Sequence, residues 1–152
     1  MARNAMTMKG VRSTSSMSRI MSSLLEYAES SLPGMWTNNL KLLVRRREEN
    51  ELCERMFEQK LASLADDLTE QERRKISNQL TCDFELGACS LSRHFIARIF
   101  SRFYRSNVEF VFARVRALIR SCRKNHRERS EKDGMMLVMD YRKGELLTIF
   151  VR

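Results

Sequence analysis

Apolar residues recur three or four positions apart over most of this chain, which is the spacing of amphipathic helices. The pattern predicts helices over 18–29, 37–66, 70–86 and 90–128. Leu32-Pro33-Gly34 separates the first two, because proline and glycine interrupt helices. Thr37 or Asn38 can cap the second helix.

Local signals also mark the later elements. Thr69 and Glu72 form the Thr-x-x-Glu pattern of a capping box at the start of the third helix. After "EKDG" the hydrophobic period becomes extended, and "MMLVMDY" and "ELLTIFV" flank an "RKG" turn. Gly144 can supply the positive φ that such a hairpin turn needs. The two strands carry more apolar residues than one buried face requires, so we expect the hairpin to meet a partner surface.

These elements predict a mainly α protein, a bundle of about four helices with a small C-terminal β-hairpin. We expect a flexible basic tail at 1–17, the helical bundle at 18–130 and the hairpin as an appendage at 135–152. A length of 152 residues, with 43% apolar and 31% charged residues, is typical of one globular domain.

The charge is concentrated in one segment, and this changes the functional picture. Residues 93–129 hold ten arginines and one lysine against two glutamates, which accounts for the whole net charge of +9. On a continuous helix, seven of these arginines fall in a band of about 60°. We call these seven the arginine line: Arg98, Arg102, Arg105, Arg116, Arg120, Arg123 and Arg127.

The opposite side of the same helix is a wide apolar arc, which predicts a central position in the bundle. The arc comprises Phe100, Phe103, Tyr104, Phe110, Val111, Val115, Leu118, Ile119 and Cys122. The arginine line itself is open to three interpretations: a solvated or internally paired face, a contact for an acidic protein, or a contact for nucleic-acid phosphates. A helix lying on a membrane would leave the other helices without a packing surface.

Signals for catalysis are missing from the sequence. The four cysteines stand singly without metal-site spacing, there is no glycine-rich phosphate loop, and neither histidine belongs to a nucleophilic pattern. We therefore expect no enzyme, no cofactor and no small-molecule substrate. The longest apolar runs are too short to span a bilayer, so no transmembrane segment is predicted.

The N-terminal residues bear on localisation. Four basic residues and no acid precede Glu26, a composition found in mitochondrial transit peptides and also in simple basic tails. Reduced single cysteines favour the nucleus or the cytoplasm, with mitochondria as the alternative.

Two stretches carry a family resemblance. Glu85, followed by His94-Phe95 and Arg98-Ile99, is similar to a motif of Glu and then Tyr-Leu-Arg-x-Arg-Leu, with Ile96 in place of the first arginine. The C-terminal stretch matches a strand–turn–strand at Asp140, Lys143, Gly144, Leu146 and Leu147. Both stretches resemble subunits of the GINS replication complex that place a helical domain before a small β unit.

The resemblance implies a non-catalytic scaffold subunit of a nuclear DNA-replication assembly. Such a subunit would form hetero-oligomers with sister subunits and bridge parts of the replicative MCM helicase. The alternative is a basic helical module that binds RNA or DNA phosphates through residues 116–127, and a third interpretation is a small organellar or viral accessory protein.

Overall fold

The computed structural model describes residues 24–49 and 54–151. The tail expected at 1–17 and the start of the first predicted helix lie outside these residues. Helix α1 covers residues 24–31 of the described chain. The remaining elements, in chain order, are α2 (Gly34–Glu49), α3 (Glu54–Asp66), α4 (Glu70–Asp83), β1 (Ser90–Leu91), α5 (Arg93–Phe103), α6 (Val108–Asn125), β2 (Arg129–Lys132), β3 (Met135–Asp140) and β4 (Glu145–Val151).

The predicted fold class is confirmed: the protein is mainly helical with a small C-terminal β unit. The capping box is also confirmed, because the Thr69 side chain accepts from the Glu72 N–H and the Glu72 side chain accepts from the Thr69 N–H. Leu32 and Pro33 do separate α1 from α2, whereas Gly34 is the first residue of α2.

The predicted single helix over 37–66 is wrong, since this stretch contains two helices, α2 and α3. Neither Thr37 nor Asn38 is a cap, because α2 begins at Gly34. Thr37 is buried inside α2, and its hydroxyl donates to the carbonyls of Ala28 and Pro33 at 3.1 and 3.2 Å. The hydroxyl thereby ties α2 to the end of α1.

The predicted single helix over 90–128 is also wrong. Helix α5 ends at Phe103, and α6 begins after Asn107, whose side-chain oxygen accepts from the Phe110 N–H at 2.9 Å. The apolar arc is buried on both helices, with the exception of Phe110, which is 60% exposed. Phe110 lies in the first turn of α6, where its ring packs under the Arg114 guanidinium.

The β unit is larger than the predicted hairpin. Strands β3 and β4 form that hairpin, and Gly144 has the expected positive φ, at 73°. Two further strands join it in a sheet of order β1-β4-β3-β2. Strand β1 pairs in parallel with β4 through Ser90–Glu145 and Leu91–Leu146, and β2 pairs antiparallel with β3.

Helices and sheet share one hydrophobic cluster. The Trp36 ring meets Phe100 edge to face at 5.0 Å, and the rings of Phe84 and Phe112 stack at 4.0 Å. The inner face of the sheet contributes Leu137, Met139 and Ile149, all fully buried. Helix α5 packs on both α3 and β4, so it is the central element of the molecule.

Candidate interaction surfaces

The break between α5 and α6 divides the arginine line, and its first three members form ion pairs. On α5, Arg98 and Arg102 face Glu58 at 4.0 and 3.1 Å, and after α5 Arg105 meets Glu48 at 2.5 Å. These pairs join α5 to α3 and α2. Because all of them are partly exposed, each contributes little to stability.

Two arginines of α6 bind backbone carbonyls. Arg116 donates to the Phe84 carbonyl at 2.7 Å, and Arg123 donates to the Ala88 carbonyl at 3.0 Å. The Arg123 guanidinium also lies 3.3 Å from the Cys89 sulfur, although burial is the larger influence and raises the pKa of that thiol. Arg116 and Arg123 therefore fasten the segment between α4 and β1 against α6.

Only Arg120 and Arg127 of the arginine line are exposed without an ion pair to another described residue. A projection of the sequence on one straight helix does not separate these two arginines from the other five. The seven arginines therefore fall into three groups: those in ion pairs, those bound to backbone carbonyls and those exposed. The α5–α6 break and the position of the 84–89 segment determine which arginine belongs to which group.

The end of α6 meets the β3–β4 turn, and the sequence did not predict this meeting. His126 ends α6 in a left-handed conformation at φ 53°, and its ring contacts Tyr141 at 5.8 Å between centroids. The Arg142 guanidinium lies 5.7 Å from the centroid of the Tyr141 ring. These three residues, with Glu128 and Asp140, line a cleft of about 350 Å³.

Exposed cations lie on α6, just after it and in the β3–β4 turn, the parts of the chain that meet at this cleft. We define the α6-end patch as Arg120, Lys124, His126, Arg127, Tyr141, Arg142 and Lys143. Gly144 in the turn would place a Cβ 3.5 Å from Arg123, which shows how closely the turn approaches α6. Sequence reasoning missed Lys124, His126, Tyr141, Arg142 and Lys143. The cations of "RKG" were visible in the sequence, but their proximity to α6 was not.

A second surface lies between α2 and α3. Three clefts of about 290, 260 and 260 Å³ follow one another along the two helices. The first two clefts share Asn39, Leu64 and Asp67, and the last two share Leu43 and Lys60, so they form one continuous groove. We call it the α2–α3 groove.

Large apolar side chains are exposed along the α2–α3 groove. Met35, Leu42 and Met56 are 71%, 44% and 52% exposed, respectively. Met35 and Leu42 are two helical turns apart and so lie on the same side of α2. On the β unit, exposure is limited to Phe150 and Val151 at the end of β4, beside the half-buried Met136.

Other kinds of site are absent from the described part of the chain. Within 24–49 and 54–151, histidine, cysteine and acidic side chains form no cluster of three or more that could bind a metal ion. Over the same residues, every helix is too short or too polar to cross a bilayer. No family model, curated protein or solved structure matches this chain. Fold and surface together define a mainly helical protein with an apolar groove on one face and a basic patch at one end.

Proposed function

We propose that this protein is a non-catalytic scaffold subunit of a nuclear, GINS-like assembly that binds the replicative MCM helicase. The observation that carries the proposal is the α2–α3 groove. A scaffold subunit needs a surface that is apolar yet exposed in the isolated chain, and the groove has this property.

The dimensions of the groove suit a helix of a sister subunit. Helix α2 has 16 residues and is therefore about 24 Å long, so a parallel or antiparallel helix of about four turns can lie beside it. Amphipathic helices bind such grooves through side chains one turn apart. The rim residues Met35, Leu42 and Met56 would be the contacts for those side chains.

Charge at the two ends of the groove favours one orientation of the partner helix. Arg46 and Lys60 line one end with Glu49, whereas Asp67 and Glu72 line the other. A sister-subunit helix with acidic residues at the Arg46 end and basic residues at the Asp67 end would be complementary. Charge complementarity of this kind sets orientation and specificity more than affinity.

The assignment to replication is supported by the resemblance of the 85–99 segment and of the β3–β4 hairpin to GINS subunits. In the structure, the first of these segments comprises the loop after α4, β1 and the first seven residues of α5. These elements connect the helices to the sheet. A substitution in this segment would therefore alter the packing of the helices and of the sheet.

Affinity purification of the tagged full chain from its source cells tests the proposal. We expect sister subunits and MCM proteins to co-elute in stoichiometric amounts. Leu42→Glu combined with Met56→Glu should abolish this association while leaving the circular dichroism spectrum unchanged, because both side chains are exposed in the isolated chain.

A matched control adds the same two charges elsewhere. Gln71→Glu with Asn78→Glu changes two exposed positions on α4 and should retain all partners. The proposal fails if the wild type elutes without MCM proteins. It also fails if the groove variant keeps the same partners as the control.

A further inference from the structure

We infer that the α6-end patch binds single-stranded nucleic acid, with its cations on phosphates and Tyr141 stacked on a base. This inference does not depend on the scaffold function, since the patch and the α2–α3 groove share no residue.

The first argument is electrostatic. Arg120, Lys124, Arg127, Arg142 and Lys143 are all exposed, and none forms an ion pair with another residue in the described ranges. They come from the C-terminal part of α6 and from the β3–β4 turn, which meet through the His126–Tyr141 contact, so their fields act on the same side of the molecule. Lysine and arginine clusters of this kind bind nucleic-acid phosphates with release of condensed counterions.

The two carboxylates beside the cleft reduce this charge only in part. One Asp140 carboxylate oxygen accepts from the backbone N–H groups of Arg142 and Lys143, both at 3.1 Å. Asp140 therefore stabilises the turn that contains Arg142 and Lys143. Glu128 is exposed, and the five cations outnumber the two carboxylates.

The second argument is the aromatic group next to Arg142 in this patch. Tyr141 is half-buried, and its ring contacts both His126 and the Arg142 guanidinium at the cleft. Proteins that bind single strands combine a cationic surface with aromatic rings and arginine planes on which unpaired bases stack. A cleft of about 350 Å³ is in the range of small-ligand sites, so it can accept one base.

These features favour a single strand over the other anionic partners. A duplex keeps its bases stacked inside, so Tyr141 would have no base to contact. An acidic protein segment would pair with the cations but would make no use of the aromatic cleft. A lipid surface would require apolar side chains beside the cations, and the residues lining this cleft are mostly polar.

Fluorescence anisotropy of the purified full chain tests the inference, with fluorescein-labelled oligo(dT) and oligo(rU) of about 20 nucleotides as probes. We expect binding whose affinity falls steeply with added salt. A duplex of equal length should bind at least about tenfold more weakly, because it offers phosphates but no base for stacking. Equal affinity for the duplex would overturn the assignment to single strands.

The patch variant replaces Arg120, Lys124, Arg127, Arg142 and Lys143 with glutamine. The control variant replaces five exposed cations outside both surfaces, namely Arg45, Arg55, Arg74, Lys75 and Lys132. The two variants have the same net charge. The patch variant should lose most of the affinity and most of the salt dependence, whereas the control should keep both. Equal losses would show that the net charge alone attracts the probe, and the inference would be wrong.

Substitutions at Tyr141 separate stacking from charge. Tyr141→Phe keeps the ring and should bind like the wild type, whereas Tyr141→Leu should weaken binding about tenfold. Circular dichroism of both variants verifies that folding is unchanged. If Tyr141→Leu binds as tightly as Tyr141→Phe, the base-stacking role is wrong. Binding of the wild type to anionic phospholipid vesicles, or to polyglutamate, in preference to the oligonucleotides would also overturn the inference.

The same assay keeps this inference distinct from the scaffold proposal. The groove variant, Leu42→Glu with Met56→Glu, should bind oligo(dT) with the affinity of the wild type. If the groove variant loses partners and the patch variant loses only the probe, both conclusions hold independently.

Discussion

At the residue scale, the sequence predicts backbone conformation where that conformation depends only on residues nearby in the chain. Gly144 and the Thr69–Glu72 capping box are examples, because a turn or a cap is determined within about four residues. What the sequence could not show is the second constraint on Gly144. A Cβ at this position would lie 2.7 Å from the Ala88 carbonyl oxygen, in a segment more than fifty residues away.

Gly144→Ala should therefore lower the free energy of unfolding by about 2 kcal/mol, since the positive φ and the close backbone contact both oppose a side chain. Urea denaturation followed by circular dichroism measures the change. Gly34→Ala is the control, because no atom lies within 4 Å of its added Cβ and alanine favours a helix. Equal midpoints for the two variants would contradict the prediction.

Glu70 gives a pH-dependent prediction at the same scale. Hydrogen bonds from Arg73 are the main cause that lowers the pKa of Glu70 from 4.5 to about 2, and the charges of Arg73, Arg74 and Arg93 add to the effect. Because the folded pKa lies below the unfolded one, Glu70 stabilises the protein above pH 4.5. This contribution should disappear as the pH falls toward 2.

Urea denaturation of the wild type and of Glu70→Gln between pH 7 and pH 2 tests this. The wild type should be the more stable at neutral pH, and the difference should shrink below pH 4.5. Glu109→Gln removes the same charge from a residue without an ion pair to the described residues, and so controls for net charge. A difference that stays constant with pH would show that Glu70 acts through something other than its charge.

At the element scale, the sequence predicted the buried face of each helix better than the helix ends. The apolar spacing continues across residues 104–107 because α5 and α6 both pack on the same core. The sequence feature that indicates the break is Asn107, because asparagine is a favoured N-cap residue. The apolar pattern continues on both sides of Asn107 and so does not show the break. The same unbroken pattern places Phe110 in the apolar arc, although Phe110 is exposed in the structure.

A pair of substitutions tests the corrected arrangement. Phe103→Ala should cost about 3–5 kcal/mol, because Phe103 is buried and its removal leaves a cavity. Phe110→Ala should cost less than about 1 kcal/mol, since the ring is 60% exposed and its main contact is with Arg114. Thermal denaturation of both variants gives the comparison. Similar losses of stability would restore the single-helix interpretation.

The arginines of α6 give a second prediction for this element. Arg116→Gln with Arg123→Gln should lower the free energy of unfolding by about 2 kcal/mol, because both guanidinium groups donate to backbone carbonyls of residues 84–88. Arg120→Gln with Arg127→Gln removes the same charge from exposed positions and should change stability by less than about 0.5 kcal/mol. Urea denaturation distinguishes the pairs, and an equal effect of both would show that net charge is the cause.

At the scale of the whole molecule, the contacts that the sequence could not predict are those between distant segments. Strand β1 has two residues and no hydrophobic period of its own, so only its pairing with β4 identifies it. The α6-end patch and the α2–α3 groove likewise bring together residues from separate elements. The fold class follows from local periodicity, whereas both candidate surfaces follow from tertiary packing.

The final prediction concerns the division between a bundle at 18–130 and a hairpin appendage at 135–152. In the structure, Leu137 of β3 and Leu61 of α3 are both fully buried in the same hydrophobic cluster. We therefore expect one cooperative unfolding transition for the described helices and sheet. Leu137→Ala and Leu61→Ala should each cost about 2–5 kcal/mol, and both should shift every spectroscopic transition equally.

Trp36, the single tryptophan, provides the decisive measurement. Its ring lies on α2 and packs against Phe100 of α5, so its fluorescence reports on the helical bundle. If Leu137→Ala in the sheet lowers the temperature of the Trp36 transition together with that of the far-UV circular dichroism signal, sheet and bundle unfold as one unit. If the temperature of the Trp36 transition is unchanged while part of the far-UV circular dichroism signal is lost at a lower temperature, the hairpin is a separate appendage. In that case the contacts of β4 with α5 contribute little to the stability of the bundle.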